Sequence, residues 1–297
     1  VNSGGTYSGS SNTLSVAGNL SNSGTFTAST GTISFTAAGT VTGTITFNNL
    51  TIAGAVALSA ASTVNGTLQL NSGGSVTTNS PIYGASSTLT YNQGGGSGSK
   101  FNQSLEWPSS NPPRNVTITN NTWVQLTGNR SLAGNLTVTN GALQGTGALR
   151  SLTMNGTTHT ITISTSSGGA IYGTDNGSSN DLQLVIANGS TTTLTGDATG
   201  SSDDEKKFHT ININSGGTLA LSRGILCRYG TFTVSGTLQI NSGGYVQSGP
   251  TSAVAASYSS GTLVYNNGGS YTTTNFEWPA SNTPSNVTLQ NSGTNVT

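Results

Sequence analysis

Apolar positions along this chain come in short runs spaced two apart. Examples are Thr42-Gly43-Thr44-Ile45-Thr46-Phe47, Asn115-Val116-Thr117-Ile118-Thr119, Thr160-Ile161-Thr162-Ile163 and Gly236-Thr237-Leu238-Gln239-Ile240. A period of two places alternate side chains on opposite faces, so each run reads as a half-buried β-strand. No window sustains the i, i+3, i+4, i+7 stripe of an amphipathic helix. The fold class is therefore all-β.

Between these runs the same turn signal returns. Asn-Ser-Gly begins at Asn2, Asn22, Asn71, Asn214, Asn241 and Asn291, each time shortly before a β-branched, aliphatic or aromatic residue. Asn and Gly tolerate positive φ, which suits a turn feeding a strand. The spacing of Leu219/Leu221 to Leu238/Ile240, and of Val116/Ile118 to Leu136/Val138, predicts coils of about 20 residues. A longer period overlies the short one. Gly66-Thr67-Leu68-Gln69-Leu70-Asn71-Ser72-Gly73-Gly74 returns as Gly236-Thr237-Leu238-Gln239-Ile240-Asn241-Ser242-Gly243-Gly244, and Glu106-Trp107-Pro108 as Glu277-Trp278-Pro279. This long internal repeat of roughly 170 residues matches 40–125 to 205–297. The stretch from about 168 to 208 fits poorly and is expected to be an irregular insert.

Composition separates the candidate architectures. Gly, Ser, Thr and Asn supply 42, 44, 51 and 32 residues, against seven Phe, three Trp and one Met. Tandem β-sandwich domains, the alternative, need clusters of large core residues from two sheets. A solenoid needs only slim columns of Val, Ile and Leu buried against the coils above and below. The expectation is a right-handed parallel β-solenoid running continuously through 1–297, with Leu68, Leu70, Leu238 and Ile240 inward. The Val1-Asn2-Ser3-Gly4-Gly5 start, with neither Met nor signal peptide, reads as a mature product or a segment of something longer.

At this point the stretches Gly31-Thr32-Ile33-Ser34-Phe35 through Phe47-Asn48-Asn49-Leu50-Thr51-Ile52, and Thr262-Leu263-Val264-Tyr265-Asn266 through Phe276-Glu277-Trp278-Pro279 to Asn286-Val287-Thr288-Leu289, carry a resemblance. They are similar to the β-helical repeats of large bacterial secreted surface proteins of the Bacteroidetes type and, more distantly, of filamentous-haemagglutinin-like adhesins. The resemblance implies an extracellular, non-enzymatic, fibrous or adhesive role and brings no catalytic residues with it.

Charge narrows the function. Eight basic and eight acidic residues give no net charge, and hence no field to hold nucleic acid. No apolar run reaches the roughly 20 residues of a membrane helix, so no membrane insertion is expected. A single Cys, Cys227, excludes an intrachain disulfide and a CxxC metal site.

No catalytic, cofactor or metal site is expected. Glu106 and Glu277 occupy equivalent repeat positions, too far apart for the separation of about 5–10 Å in a hydrolytic pair, and read as turn residues under Trp-Pro. Asp203, Asp204 and Glu205 are weak calcium candidates without DxDxDG spacing, next to Lys206 and Lys207 that neutralise them. His159 and His209 lie in strand-like runs with no triad arrangement. Cys227 reads as a small buried hydrophobe, and Gly94-Gly95-Gly96-Ser97-Gly98 as a flexible turn. Thr-x-Thr pairs such as Thr160/Thr162 read as ordinary strand positions rather than an ice-binding array.

The expected role is an extracellular structural protein, a subunit or segment of a self-assembling surface fibre. Its partner is another copy stacked end to end, or further repeats of a longer chain, with Val287 and Leu289 in the joint. The alternative is a cell-surface adhesin binding glycans or neighbouring surfaces, with Trp107 and Trp278 as stacking platforms.

Overall fold

A computed structural model describes residues 1–164, 169–173, 181–196, 206–248 and 252–297. Among them every named element is a β-strand except one short 3-10 turn at Gly96–Gly98. The strand pairings are parallel, and the described chain is a parallel β-solenoid with three strands per coil. It divides into two compact units, Val1–Val124 and Gln125–Thr297.

In the first unit the main sheet stacks Thr13–Val16, Thr32–Phe35, Asn49–Ile52, Thr67–Asn71, Thr88–Asn92 and Asn115–Ile118, each paired with the next. Register is strict. Leu14, Ile33, Leu50, Leu68, Leu89 and Val116 form one inward column, and Val16, Phe35, Ile52, Leu70, Tyr91 and Ile118 a second. From Ile33 and Phe35 onward all of these are buried. Because the side-chain period is two, a one-residue slip would send every one of them to solvent, and this fixes the pairing. Two smaller sheets complete the coil. One stacks Ile45–Phe47, Ser62–Val64 and Ile82–Tyr83, and the other Leu20–Ser21, Gly39–Thr42, Ala55–Ala57 and Ser75–Thr78.

The second unit repeats the scheme. Its main sheet stacks Leu136–Val138, Thr158–Ile163, Thr191–Gly196, Thr218–Leu221, Thr237–Asn241, Thr262–Asn266 and Asn286–Leu289. Leu238 and Ile240 are fully buried, as are Leu68 and Leu70 in the first unit. The 168–208 stretch is not an irregular insert where it is described. Gly169–Gly173, Leu182–Ile186, Thr191–Gly196 and Lys206–Phe208 are all strands in register with their neighbours. What defeats simple periodicity there is coil length. The first unit's column advances in nearly even steps from Leu14 to Ile33, Leu50, Leu68 and Leu89. The steps from Ile161 to Leu194 and from Leu194 to Leu221 are markedly longer. The short coil that the sequence suggests therefore holds for only part of the chain, since a turn can lengthen without disturbing the rungs it joins.

The turns explain the Asn-Ser-Gly signal. In Asn2, Asn71, Asn214 and Asn241 the backbone carbonyl accepts from the N–H three positions on, in Gly5, Gly74, Gly217 and Gly244. The intervening Gly4, Gly73, Gly216 and Gly243 sit at φ of 74–79°, a region that costs other residues strain. Asparagine ladders reinforce the same corner. Asn92 Nδ2 donates to Asn71 Oδ1 at 2.8 Å and Asn266 Nδ2 to Asn241 Oδ1 at 3.3 Å, while Gln69 and Gln239 donate to those same oxygens at 2.8 and 2.7 Å. Stacked identical amides satisfy each other from rung to rung, as in cross-β arrays.

Candidate functional site

Among the described residues each unit holds one buried glutamate beneath a tyrosine cluster, built from equivalent segments of the long repeat. In the first unit the Glu106 side chain is fully buried. Its Oε1 accepts from the Tyr91 hydroxyl and from the Ser104 N–H, both at 2.9 Å, and its backbone carbonyl accepts from the Tyr83 hydroxyl at 2.6 Å. Gln103 Nε2 donates to the Trp107 carbonyl at 2.9 Å. Burial, then the Glu106 charge, pushes the Tyr83 hydroxyl well above its ordinary range. The arrangement folds the long coil between Thr88 and Asn115 back over the core, with Glu106 as the hydrogen-bond anchor.

In the second unit Tyr258 donates to the Glu277 carbonyl at 2.7 Å, and Thr274 donates to the carboxylate through both its N–H and its hydroxyl. Tyr265 packs 5.3 Å from Tyr271 and 6.3 Å from Trp278, centroid to centroid. Burial raises the Glu277 carboxyl above its ordinary value, against the Thr274 hydrogen bonds that pull it down. Burial likewise raises Tyr258, Tyr265 and Tyr271.

The first cluster is not arranged for glycoside hydrolysis. Glu106 is the sole acid in Val1–Val124, so that unit cannot supply the two carboxylates of a glycosidase. The two tryptophans differ from each other. The expectation of Trp107 as a surface stacking platform fails, because its ring is fully buried. Trp278 is 38% exposed.

The remaining candidates are placed as follows. His159 is buried between rungs, with Nε2 2.7 Å from Thr192 Oγ1 and 3.2 Å from Ser190 Oγ. By distance alone Ser190 and His159 resemble a nucleophile and its base, but both lie inside the coil, where no substrate reaches the hydroxyl. His209 Nε2 lies 3.7 Å from Asp181 Oδ2. The Cys227 thiol is buried, lies 3.5 Å from the His209 carbonyl and 3.4 Å from the Thr231 carbonyl, and is pushed up to about 12 by desolvation. That holds it as an inert thiol at neutral pH. Asp203, Asp204 and Glu205 lie outside the described residues. Among the described residues no group of three His, Cys, Asp or Glu is placed to hold a metal, and no helix is long and apolar enough to cross a membrane. Thr162 and Thr195 hydroxyls stack at 3.1 Å in one column with Thr137, and Thr158, Thr191, Thr218, Thr237 and Thr262 line up in a second column, whereas the column of Thr160 and Thr193 gives way to Ala220.

Two surface features remain. The outer edge of Asn286–Leu289 presents four exposed residues, with Val287 39% and Leu289 55% exposed. They continue the columns of Leu263 and Tyr265, which are fully buried one rung below. The other is a cavity of about 490 Å³ in the first unit, between the turn at Ser72-Gly73 and the glycine-rich loop that leads to Lys100 and Phe101. Nothing in the local sequence marks it, because its walls come from successive coils and meet only through the rung stacking. No known protein family matches this chain, and no curated protein or solved structure matches it either.

Proposed function

We propose that this chain is an extracellular structural protein, a subunit or segment of a surface fibre in which solenoid rungs continue from one body into the next, and that residues 1–297 form one continuous coil within it. The observation that carries this reading is the Asn286–Leu289 edge. A rung laid on it would bury Val287 and Leu289 as Leu263 and Tyr265 are buried below. Its backbone groups would also pair, removing the exposed edge that natural sheets otherwise blunt with charge or proline. No Lys or Arg guards it, since Glu277 is the only charged side chain after Arg228. The rung Thr13–Val16 offers a matching surface, with Leu14 and Val16 half-buried on its inward face. The covering rung comes from a second copy or from further repeats of a longer chain. The resemblance to β-helical repeats of bacterial secreted surface proteins supports the same role, and neither glutamate cluster supports an enzyme.

Light scattering of the wild-type chain and of the Val287→Lys, Leu289→Lys double variant tests the proposal. Concentration-dependent growth is expected of the wild type and not of the variant. Equal growth of both would overturn it. A second reading, an adhesin at the cell surface, is favoured by the half-exposed Trp278 ring, which offers a face for stacking on a glycan.

A further inference from the structure

The cavity in the first unit has the chemistry of a saccharide site. Its volume of about 490 Å³ falls within the range of roughly 300–1,000 Å³ usual for small-molecule pockets. Phe101 supplies an aromatic wall, held by its tilted packing 5.5 Å from Tyr91. Ser72, Ser99 and Gln93 supply hydroxyl and amide groups around it. Gln93 is fixed by its Nε2 donating to the Gly74 carbonyl at 2.6 Å, which leaves its amide oxygen to accept. The mouth carries one cation, Lys100, whose ammonium lies 5.9 Å from the Trp123 ring centroid. The unit's sole acid, Glu106, is sealed in the core under Tyr91, so no carboxylate of that unit neutralises Lys100.

The backbone that shapes this cavity is specific to the first copy of the long repeat. Gly94, Gly95 and Gly96 sit at φ of 75°, 91° and 62°, and the loop is pinned by Thr122 Oγ1, which accepts from the Gln93 and Gly94 N–H groups at 2.8 and 3.2 Å. The segment from Tyr91 to Glu106 is longer than its counterpart from Tyr265 to Glu277, and that counterpart holds no Lys or Arg. The first copy therefore adds chain length and one cation to a turn that the two copies otherwise share.

We propose that this cavity is a subsite for an acidic saccharide, with a sugar ring against Phe101, hydroxyls on Ser72, Ser99 and Gln93, and a carboxylate on Lys100. The combination decides the class. An aromatic wall with amide and hydroxyl partners suits a pyranose, whose one face is C–H and whose edge is hydroxyl, whereas an inorganic anion would have no use for Phe101. The site goes beyond the fibre reading and stands apart from it, because its walls lie in Val1–Val124 and the fibre edge is Asn286–Leu289.

Calorimetric titration of the full chain with a uronic-acid disaccharide, the corresponding neutral disaccharide and sodium sulfate tests this. Saturable uronate binding near the millimolar range is expected, weaker for the neutral sugar by about three- to fivefold, the worth of one exposed charge. Lys100→Gln should weaken uronate binding by that same factor. Ser72→Trp, at an exposed turn position, should fill the cavity and abolish binding while far-ultraviolet circular dichroism stays unchanged. No saturable uronate binding, uronate binding unaltered in both variants, or sulfate binding as tightly as the disaccharide would overturn the proposal.

Discussion

A three-position alanine scan along Thr237–Asn241 probes the register directly. Leu238 and Ile240 are fully buried and point into the coil, Leu238 between Leu219 and Leu263 and Ile240 between Leu221 and Tyr265. Gln239, between them, points outward and donates to Asn241 Oδ1. Truncating a fully buried Leu or Ile to Ala removes its transfer energy and leaves a cavity that fixed rungs above and below cannot close, a cost of about 3 kcal/mol. For a unit of this size each kcal/mol lowers Tm by roughly 2–4 °C, so Leu238→Ala and Ile240→Ala should each lower it by about 6–12 °C. Gln239→Ala loses one part-buried hydrogen bond, about 1 kcal/mol, and should lower Tm by only about 2–4 °C. Differential scanning calorimetry reads all three. A shift for Gln239→Ala equal to or larger than those of its neighbours would show that the inward face belongs to other residues.

Other consequences follow from named contacts. The Glu277 carboxyl is raised by burial, so its contribution to stability is fully present below its unfolded value of about 4.5 and is lost as pH rises through the higher folded value. Thermal melts between pH 4 and 8 should therefore show a decline that Glu277→Gln flattens, and a decline unchanged in the variant would refute the assignment. Cys227, buried with its thiol pushed up to about 12, should stay unmodified by a thiol reagent at pH 8 until denaturant is added, and rapid native labelling would contradict its placement. A Cβ on Gly244 would press into the Leu221 carbonyl oxygen, far inside van der Waals contact, so Gly244→Ala should cost roughly 2–3 kcal/mol in chemical denaturation; a neutral result would place that turn farther from the preceding rung.

Much of this architecture is legible in the sequence because a solenoid writes its core locally. Alternation in Thr67–Asn71 and Thr237–Asn241 identifies the inward residues without knowledge of any partner, and Asn-Ser-Gly marks the corner that follows. What sequence leaves out is everything decided between coils. Leu182–Ile186 and Lys206–Phe208 are ordinary rungs, yet more residues separate them from the neighbouring rungs than the short period allows, so the 168–208 stretch reads as irregular although its described strands are in register. Trp107 and Trp278 share an identical Glu-Trp-Pro setting, but one is buried and the other half-exposed, because tryptophan burial depends on which side chains pack over it and not on its own neighbours in sequence. The Lys100 cavity is invisible for a related reason. Gly94 to Gly98 reads as a flexible turn, and only the greater length of this segment than in the second copy, together with its lone cation, sets it apart.

The central claim, continuation of rungs from one body into the next across the Asn286–Leu289 edge, is tested most directly by negative-stain microscopy of concentrated protein in about 1 M sodium chloride, where a Debye length of about 3 Å removes charge-driven association. Backbone pairing and apolar stacking survive that screening, so the account predicts long fibres of uniform width, with only short rods from the Val287→Lys, Leu289→Lys variant. Wild-type particles that remain single at every concentration, or fibres that dissolve in the salt, would contradict it.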